Sequence, residues 1–540
     1  MNQNIASADW LVIALYGLGL LFMAAWLSRS QEDREDYYVG GRAMGAWPVG
    51  LSIMATQCST NSILGAPAFV AFSLGGGLVW LQYELAVPLA MIVLMLFVMP
   101  LFRHLQLVSV YAYLERRFDL GTRLTLSALF QFVRAFATAV TVYSISLVIE
   151  LITGLSFTAS VLLLGAFTIF YDVLGGIRGV IYSDVLQLLI LAGMLLLVAV
   201  YLVDDGGGLG AVWQQFDSER RQVLDFSHHG FGDGQTFAFW PMLFGGLFLY
   251  VSYYGCDQSQ VQRQLSTRDI DTTNNALLIN GLLRFPLVML YCFVGVGIAV
   301  HATTNPEFTA SLPTRDGTPE YNLAVPLYMI NALPVGLVGL SLVALFAAAM
   351  SSLDSVLNSL SATTMEDFVR RFSHTDWSAR RELIYSRAIT AAWGGITLVM
   401  AFFVGDVAPT VLEAINKIGS LANGPILAVF ALGFLTRKTA GWQAVTGLLL
   451  GMTGNALLWL YLPQVSWLWW NVIGFLLTFG IGVSLAIVQP LASSSAQDTS
   501  IGRIRTYLRE EARYNWYTRS VWLLAWFVLL AGLLVVIGLL

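Results

Sequence analysis

Two polar stretches of this sequence carry residue types that bind small cations. Residues 56–62 read TQCSTNS and residues 351–355 read SSLDS, each within an otherwise apolar segment. Hydroxyl, carbonyl and carboxylate oxygens are the ligands that hard cations prefer. In a helix, Ser351 and Ser355 share one face, and Asp354 lies beside them. The second stretch therefore suits a small hard cation, with small-residue helix packing as the alternative.

The first stretch predicts a broken helix. It lies in the middle of a membrane-length apolar run and is followed by Gly65 and Pro67. Each unsatisfied polar group in hydrocarbon costs several kcal/mol, so a regular lipid-facing helix would not carry such a stretch. Where a helix breaks and faces a cavity, its free carbonyls and half-helix ends hold an ion and a solute. The structural alternative is a Ser- and Thr-rich packing face.

A second apolar run has the same character. Gly245, Gly246 and Gly255 loosen residues 239–260, and Asp257 marks the inner end of the run. It is the seventh run of the chain and the first broken run is the second, so the two take matching positions in two halves of five helices. Paired discontinuous helices in matching positions indicate an inverted-repeat transporter.

Few charged residues lie at membrane depth, and each is a functional candidate by default. Arg134 lies about ten residues into its run, roughly 15 Å along a helix. A guanidinium group matches a carboxylate bidentately. Arg134 therefore indicates either an anionic solute or an ion pair with an acid such as Glu84 or Asp184. Asp184 itself lies just inside the sixth run.

The composition is that of an integral membrane protein with many spans. Of the 540 residues, 57% are hydrophobic and 11% are charged, against about 25% charged in soluble domains. Three cysteines exclude a disulfide scaffold, and a net charge of −5 without a basic block gives no sign of a nucleic-acid partner. A spanning helix needs about 20 apolar residues. Fourteen runs qualify: 8–27, 47–73, 78–101, 124–152, 156–177, 182–203, 239–260, 273–302, 324–365 (a short segment up to Pro334, then the span), 382–404, 411–434, 440–462, 466–488 and 519–540.

The distribution of basic residues predicts the orientation of the chain. Twenty-one Lys and Arg residues fall in one set of alternating loops and three in the other set. Cytoplasmic loops carry the excess of positive charge. With fourteen spans, we expect both termini to lie outside and the protein to lie in the plasma or inner membrane.

Four segments, in order, resemble the sodium:solute symporter family, which includes carriers of glucose, iodide, vitamins, monocarboxylates, proline and sialic acid. They read ATQCSTNSILGAP, GGIRGVIYSDVLQ, YYGCDQSQVQR and AAAMSSLDSVLNS, and the similarity runs from about residue 8 to 488. The resemblance implies an all-α, LeuT-type fold with a five-plus-five inverted repeat and flanking helices. The expected parts are an extra helix and inner loop (1–46), the first repeat (47–203), an outer loop (204–238), the second repeat (239–434) and three more helices (435–540).

The resemblance also implies ion sites. In the family, sodium lies between the first broken helix and the eighth helix of the repeats, on three backbone carbonyls and two serine hydroxyls. Some members hold a second sodium beside an aspartate. Carried over by motif, the first site is Ala55, Cys58, Ala348, Ser351 and Ser352, and the second is Asp184, Asp354 and Ser355.

Residues for the solute carry over less well. The sugar carriers of the family have acidic and amide residues in the break, and this chain does not match them fully. Tyr253 falls where the family has an aromatic inner gate, and Gln82 and Glu84 lie near the expected outer vestibule. The candidate solute-binding residues are Gln57, Ser59, Thr60, Asn61, Ser62, Gln82, Arg134 and Arg284.

The sequence thus predicts a monomeric, sodium-coupled symporter of a small organic solute, with an organic anion favoured by Arg134. A monocarboxylate and an acidic sugar such as sialic acid are the leading candidates. A sugar or polyol symporter and a proton-coupled carrier using Asp184 and Asp354 stay open. A channel and a transporter-like sensor are more distant alternatives. The sequence contains no visible nucleophile–base pair, which argues against an enzyme.

Overall fold

A computed structural model describes residues 6–58, 60–315, 317–373, 377–404, 411–490 and 501–540. Nearly all the regular structure in these ranges is helical. The exception is a small antiparallel hairpin of β1 (Thr314–Arg315) and β2 (Thr318–Pro319).

Ten α-helices form the first part of the chain, up to residue 215. Two of them are longer than 30 residues, which is enough to cross a membrane and extend beyond it. They are α1 (Ser7–Ser28), α2 (Arg34–Val39), α3 (Ala46–Gln57), α4 (Thr60–Phe72), α5 (Ala86–Val93), α6 (Met99–His104), α7 (Ala112–Arg117), α8 (Leu120–Thr153), α9 (Phe157–Asp205) and α10 (Leu209–Gln215).

The remaining helices follow the loop at residues 216–240. They are α11 (Gly246–Cys256), α12 (Gln258–Leu265), α13 (Ile270–Thr304), α14 (Pro306–Ala310), α15 (Ala324–Ala332), α16 (Leu337–Thr363), α17 (Arg370–Phe372), α18 (Ala379–Val404), α19 (Val411–Leu435), α20 (Gly441–Tyr461), α21 (Trp467–Val488), α22 (Ile501–Glu511), α23 (Trp516–Arg519) and α24 (Val521–Leu539). Short 3₁₀ or π segments link several of them: Gly40–Arg42, Leu78–Leu85, Leu94–Val98, Ser218–Arg221, Pro241–Gly245, Tyr321–Leu323 and Thr364–Val369.

Within the described ranges, eleven helical segments are long and apolar enough to cross a membrane. The sequence predicts fourteen. Two of the predicted spans are broken, so that neither half of them reaches the length of a span. Two others are joined in the single 49-residue helix α9. The count of fourteen therefore stays a prediction.

Helix α9 bends at Gly176, which separates its two membrane-length parts. The backbone of Gly176 has φ 54° and ψ −161°, a conformation that side chains with a Cβ rarely adopt. A Cβ at this position would also lie 2.8 Å from the Tyr37 carbonyl oxygen. Glycine is thus required here by both the backbone and the neighbouring α2.

The first broken helix is formed by α3 and α4, as the polar stretch predicts. Helix α13 runs beside both halves at close range. A Cβ on Gly50 would lie 2.9 Å from the Ala276 carbonyl oxygen, and one on Gly295 would lie 2.8 Å from the Pro67 carbonyl oxygen. These glycines allow α13 to hold the two halves in place on either side of the break.

The second broken helix is formed by α11 and α12, which meet at Asp257. The break lies later in the sequence than the glycines that predict it, and Pro241–Gly245 is a π-helical turn that continues into α11. Helix α12 is mostly polar, with Val261 and Leu265 on one face, yet every one of its residues is buried. Such a helix needs partners for its side chains throughout, so its sequence is specific to this packing.

Candidate functional site

A cavity of about 790 Å³ lies between the two broken helices. It extends from the loop at residues 318–322 to Asp257, at the joint of α11 and α12. This volume is in the range of small-molecule sites. Its polar lining includes Thr56, Gln57, Arg134, Ser252, Ser352 and Asn423.

The break in the first helix also borders a second, much smaller void. Ala55, Cys58, Ala348 and Ser351 all line it, which are four of the five residues predicted for the first sodium site. The fifth, Ser352, lines the large cavity instead. The structure thus brings the five residues together, at the boundary between the void and the cavity.

The oxygen atoms around this void have the spacing of cation ligands. The Ser351 hydroxyl donates to the Ala55 carbonyl at 3.5 Å and to the Ala348 carbonyl at 3.2 Å. The Ser352 hydroxyl lies 3.5 Å from the Thr56 carbonyl and 3.4 Å from that of Ala348. Oxygens held at about 2.4 Å around one hard cation lie about 3.4 Å apart. The Ala55 and Thr56 carbonyls are available because they lie in the last turn of α3, which leaves them without intrahelical partners.

The three residues of the predicted second ion site also lie together. The Ser355 hydroxyl is 3.1 Å from Asp354 Oδ1 and 3.2 Å from the Thr56 hydroxyl, and the Thr56 hydroxyl is 3.5 Å from Asp184 Oδ2. Asp184 and Asp354 are both fully buried. These contacts connect α3, α9 and α16 at one point.

A buried arginine lies within this second group. Arg263 of α12 donates to the Ser355 hydroxyl through Nη2, which also lies 3.5 Å from Asp184 Oδ2. Its side chain is 0% exposed. The Ser52 hydroxyl donates to Asp184 at 2.6 Å, while Tyr171 donates to Asp354. The carboxylates of this group therefore face a tethered cation and several hydroxyl donors.

Arg134 lies at the cavity end formed by the second broken helix. Its guanidinium pairs with Asp257, and the ring of Tyr253 lies against it at 4.9 Å from the ring centroid. The sequence suggests Glu84 or Asp184 as its acidic partner, whereas the structure has Asp257. Arg134 is still 23% exposed, so it lies on the cavity surface.

Arg284 also lines the cavity, and it is engaged by Glu84. Arg284 Nε lies 2.8 Å from Glu84 Oε2, and the Tyr250 hydroxyl donates to the same carboxylate at 3.1 Å. Gln82 lies outside the cavity lining. Its amide donates to the Phe237 carbonyl at 2.8 Å and accepts from the Asp225 backbone at 3.2 Å. Gln82 thus fastens the 204–238 loop.

The remaining candidates lie in the first break. Gln57 and Ser62 line the cavity, and the Gln57 side chain accepts a hydrogen bond from Tyr254. Thr60 begins α4, followed by Asn61, and only their backbones are described. Ser59 lies outside the described residues.

Comparison with known proteins identifies the family. The profile of the sodium:solute symporter family matches residues 37–451. The chain belongs to this family. It is 29% identical over 485 residues to the sodium/sialic acid symporter NanT of Aliivibrio fischeri, covering 89% of this chain and 93% of that protein. It is also 31% identical over 424 residues to the sodium-dependent multivitamin transporter of Oryctolagus cuniculus, covering 76% and 63%.

Solved structures agree with the family assignment. A sodium-coupled sialic acid symporter in a substrate-bound, outward-open state superimposes with a TM-score of 0.81 at 24% identity, covering 90% of this chain and 99% of that one. At this level of identity the likeness shows the fold. The family match, with the eleven membrane-length apolar helices of the described ranges, makes the chain a multi-pass membrane transporter of the sodium:solute symporter family.

The sequence misses two residues that the structure places in the site. Asp257 is visible only as the end of an apolar run, and Arg263 counts only as one of the positive charges of an inner loop. A signal is present in the segment QSQVQRQL, because no simple loop needs four glutamines and an arginine beside a broken helix. The partners of these side chains come from distant parts of the sequence, and hydrophobic periodicity does not predict such contacts.

Proposed function

We propose that this protein is a sodium-coupled symporter that moves a small organic anion by alternating access. One observation carries the proposal. The oxygen cluster of Ala55, Cys58, Ala348, Ser351 and Ser352 lies directly beside the cavity that contains Arg134. An ion and a solute bound at these places share the break in the first helix, so each stabilises the other.

The coupling follows from which helices the ion joins. Sodium binds α3 and α16 at once only when the two are close together, so it favours the state that presents the solute cavity. The bound solute closes the cavity, and the repeat helices then rock against the others. Loss of sodium to the sodium-poor cytoplasm opens the site inwards. The membrane potential adds about 2.3 kcal/mol per charge per 100 mV.

Arg134 supports an anionic solute. A guanidinium at a cavity floor recognises a carboxylate by two parallel hydrogen bonds. The relatives of this chain agree with this class, since they include sodium/sialic acid symporters and a sodium-coupled monocarboxylate transporter. Arg284 is the weaker candidate for solute contact, because its side chain is 6% exposed against 23% for Arg134, although each is paired with an acid.

The proposed architecture is the fourteen-span arrangement predicted from the sequence. The two broken helices, α3–α4 and α11–α12, occupy matching places in repeats at residues 47–203 and 239–434. The bend of α9 at Gly176 supports counting that helix as two spans. We also propose that both termini lie outside and that the monomer is the transporting unit.

A thermal-shift experiment tests the solute class. Ligands stabilise the folded state by mass action. We expect N-acetylneuraminate or lactate to raise the unfolding midpoint of the purified protein in NaCl, and to have no effect in choline chloride. Arg134→Gln should abolish the shift, and Arg387→Gln, at an arginine of α18 that does not line the cavity, should retain it. A shift by glucose alone, or one of equal size in choline chloride, would contradict the proposal.

A further inference from the structure

Arg134, the cavity's candidate anion-binding group, is already occupied by a carboxylate of the protein. Asp257 pairs with it, and the Asp257 side chain is 11% exposed. Both residues line the cavity. A solute carboxylate that reaches Arg134 therefore meets an acid that holds the same guanidinium.

Asp257 also holds the second broken helix together at its joint. Its backbone is extended, with φ −90° and ψ 123°, and it is the N-cap residue of α12. Its Oδ1 accepts from the Ser259 backbone at 2.9 Å and from the Ser259 hydroxyl at 2.5 Å. The two carboxylate oxygens thus have separate partners: Oδ1 caps α12, and Oδ2 binds Arg134 of α8.

The pair therefore ties α8 to the joint between α11 and α12. Tyr253, one turn before the joint, lies against the same guanidinium. Its hydroxyl accepts from the Gln260 side chain at 2.9 Å, which adds a link between α11 and α12. This group closes the cavity at the end away from the 318–322 loop.

We propose that Asp257 is a specificity-determining and positioning residue that occupies Arg134 in the solute-free carrier and is displaced by the carboxylate of the solute. Both contacts of the pair run from the Nε–Nη2 edge of the Arg134 guanidinium to Asp257 Oδ2. One edge of a guanidinium binds one carboxylate at a time, so a solute carboxylate that takes this edge displaces Asp257. When the solute takes this place, α8 is released from the α11–α12 joint, and that end of the cavity becomes free to open. When the solute leaves, Asp257 returns to Arg134 and disfavours rebinding.

This mechanism makes gate opening depend on the charge of the solute. A neutral solute leaves the Arg134–Asp257 pair in place, so it fills the cavity without releasing the joint. The inference rests on the proposed function, because it takes the solute to be a carboxylate that binds Arg134. Competition from Asp257 also makes the affinity of the carrier for its solute lower than an unpaired Arg134 would give.

The variant Asp257→Asn separates the two roles of the side chain. Asparagine is as good an N-cap as aspartate, but it does not compete as an anion. In proteoliposomes, we expect the KM for N-acetylneuraminate or lactate to fall about tenfold. The solute then displaces a neutral amide from Arg134, and a neutral hydrogen bond is about half as strong as the charge-assisted bond to Asp257. We expect kcat to fall as well, because the return of the acid no longer assists release. Asp257→Glu keeps the charge and should keep the wild-type KM.

A matched control is Asp269→Asn. Asp269 is also an N-cap aspartate, on α13, and does not line the cavity. It should leave both KM and kcat unchanged. A lower kcat for Asp257→Asn with an unchanged or higher KM would show a purely structural role and overturn the inference. Failure of the proposed function has a different signature: uptake of wild-type protein without sodium, or no response of solute binding to Arg134→Gln.

Discussion

The two candidate ion sites of this protein are neighbours on α16, yet they differ in their charge. The first consists of carbonyl and hydroxyl oxygens only, around Ser351 and Ser352. The second contains the carboxylates of Asp184 and Asp354, and the guanidinium of Arg263 lies among them. Only one helical turn separates the two groups.

This difference in charge indicates which of the two sites takes its cation from solution. The oxygens of the first site are neutral and lie 3.2–3.5 Å apart. When an ion leaves this site, no uncompensated charge of the protein remains buried. A buried carboxylate is costly unless it is paired, and Arg263 provides a permanent partner for Asp184. We therefore expect the first site to govern sodium coupling and the second to govern stability.

The largest expected effect comes from removing both hydroxyls of the first site. One polar group that contacts a charged partner stabilises the contact by about 1.5–3 kcal/mol. Loss of two such groups, in Ser351→Ala with Ser352→Ala, should therefore weaken sodium binding by about 100-fold or more. Sodium-dependent uptake into proteoliposomes measures the loss. Ser341→Ala, a buried serine elsewhere on α16, is the control and should transport normally. Unchanged sodium dependence in the double variant would show that Ser351 and Ser352 do not bind the coupling sodium ion.

The next effect is a loss of stability when the tethered cation is removed. Arg263→Gln leaves Asp184 buried without its cationic partner, which costs about 3–5 kcal/mol. The thermal unfolding midpoint in detergent should fall sharply. Adding Asp184→Asn to this variant should recover much of the loss, since the uncompensated charge is gone. Equal stability of Arg263→Gln and wild type would show that the buried pair does not have the role assigned to it.

The smallest effect is expected for Asp354→Ser. Asp354 is not among the ligands of the first site, and its oxygens accept from Tyr171, Ser183 and Ser355. We expect the sodium affinity measured by uptake to change by less than about tenfold, since no ligand of that site is removed. A complete loss of sodium dependence, as large as that of the double serine variant, would mean that the two groups form a single site.

Much of this arrangement is predictable from local sequence because it depends on local chemistry. A run such as TQCSTNS cannot be a regular helix in hydrocarbon, and α3 indeed ends at Gln57. The segment up to Pro334 similarly separates as α15 before the long helix α16 begins. Ser351 and Ser352 are recognisable through their motif, and the structure brings them to Ala55 and Ala348.

The partners of the charged residues are not predictable in this way. Arg134 pairs with Asp257, 123 residues later in the sequence, and no periodicity reports such a contact. Arg263 counts as a loop charge by position, yet it is fully buried because α12 continues the broken helix inwards. Gln82 shows the converse case, since a polar residue near the expected vestibule serves to fasten a loop.

We propose that a sodium gradient drives the accumulation of an organic anion through this protein. The direct measurement is uptake of radiolabelled N-acetylneuraminate and of lactate into proteoliposomes at fixed pH. An inward sodium gradient is compared with choline in its place. We expect accumulation of one of these anions above equilibrium with sodium and none with choline. Equal accumulation in choline driven by a pH gradient, or a solute-independent conductance, would contradict it.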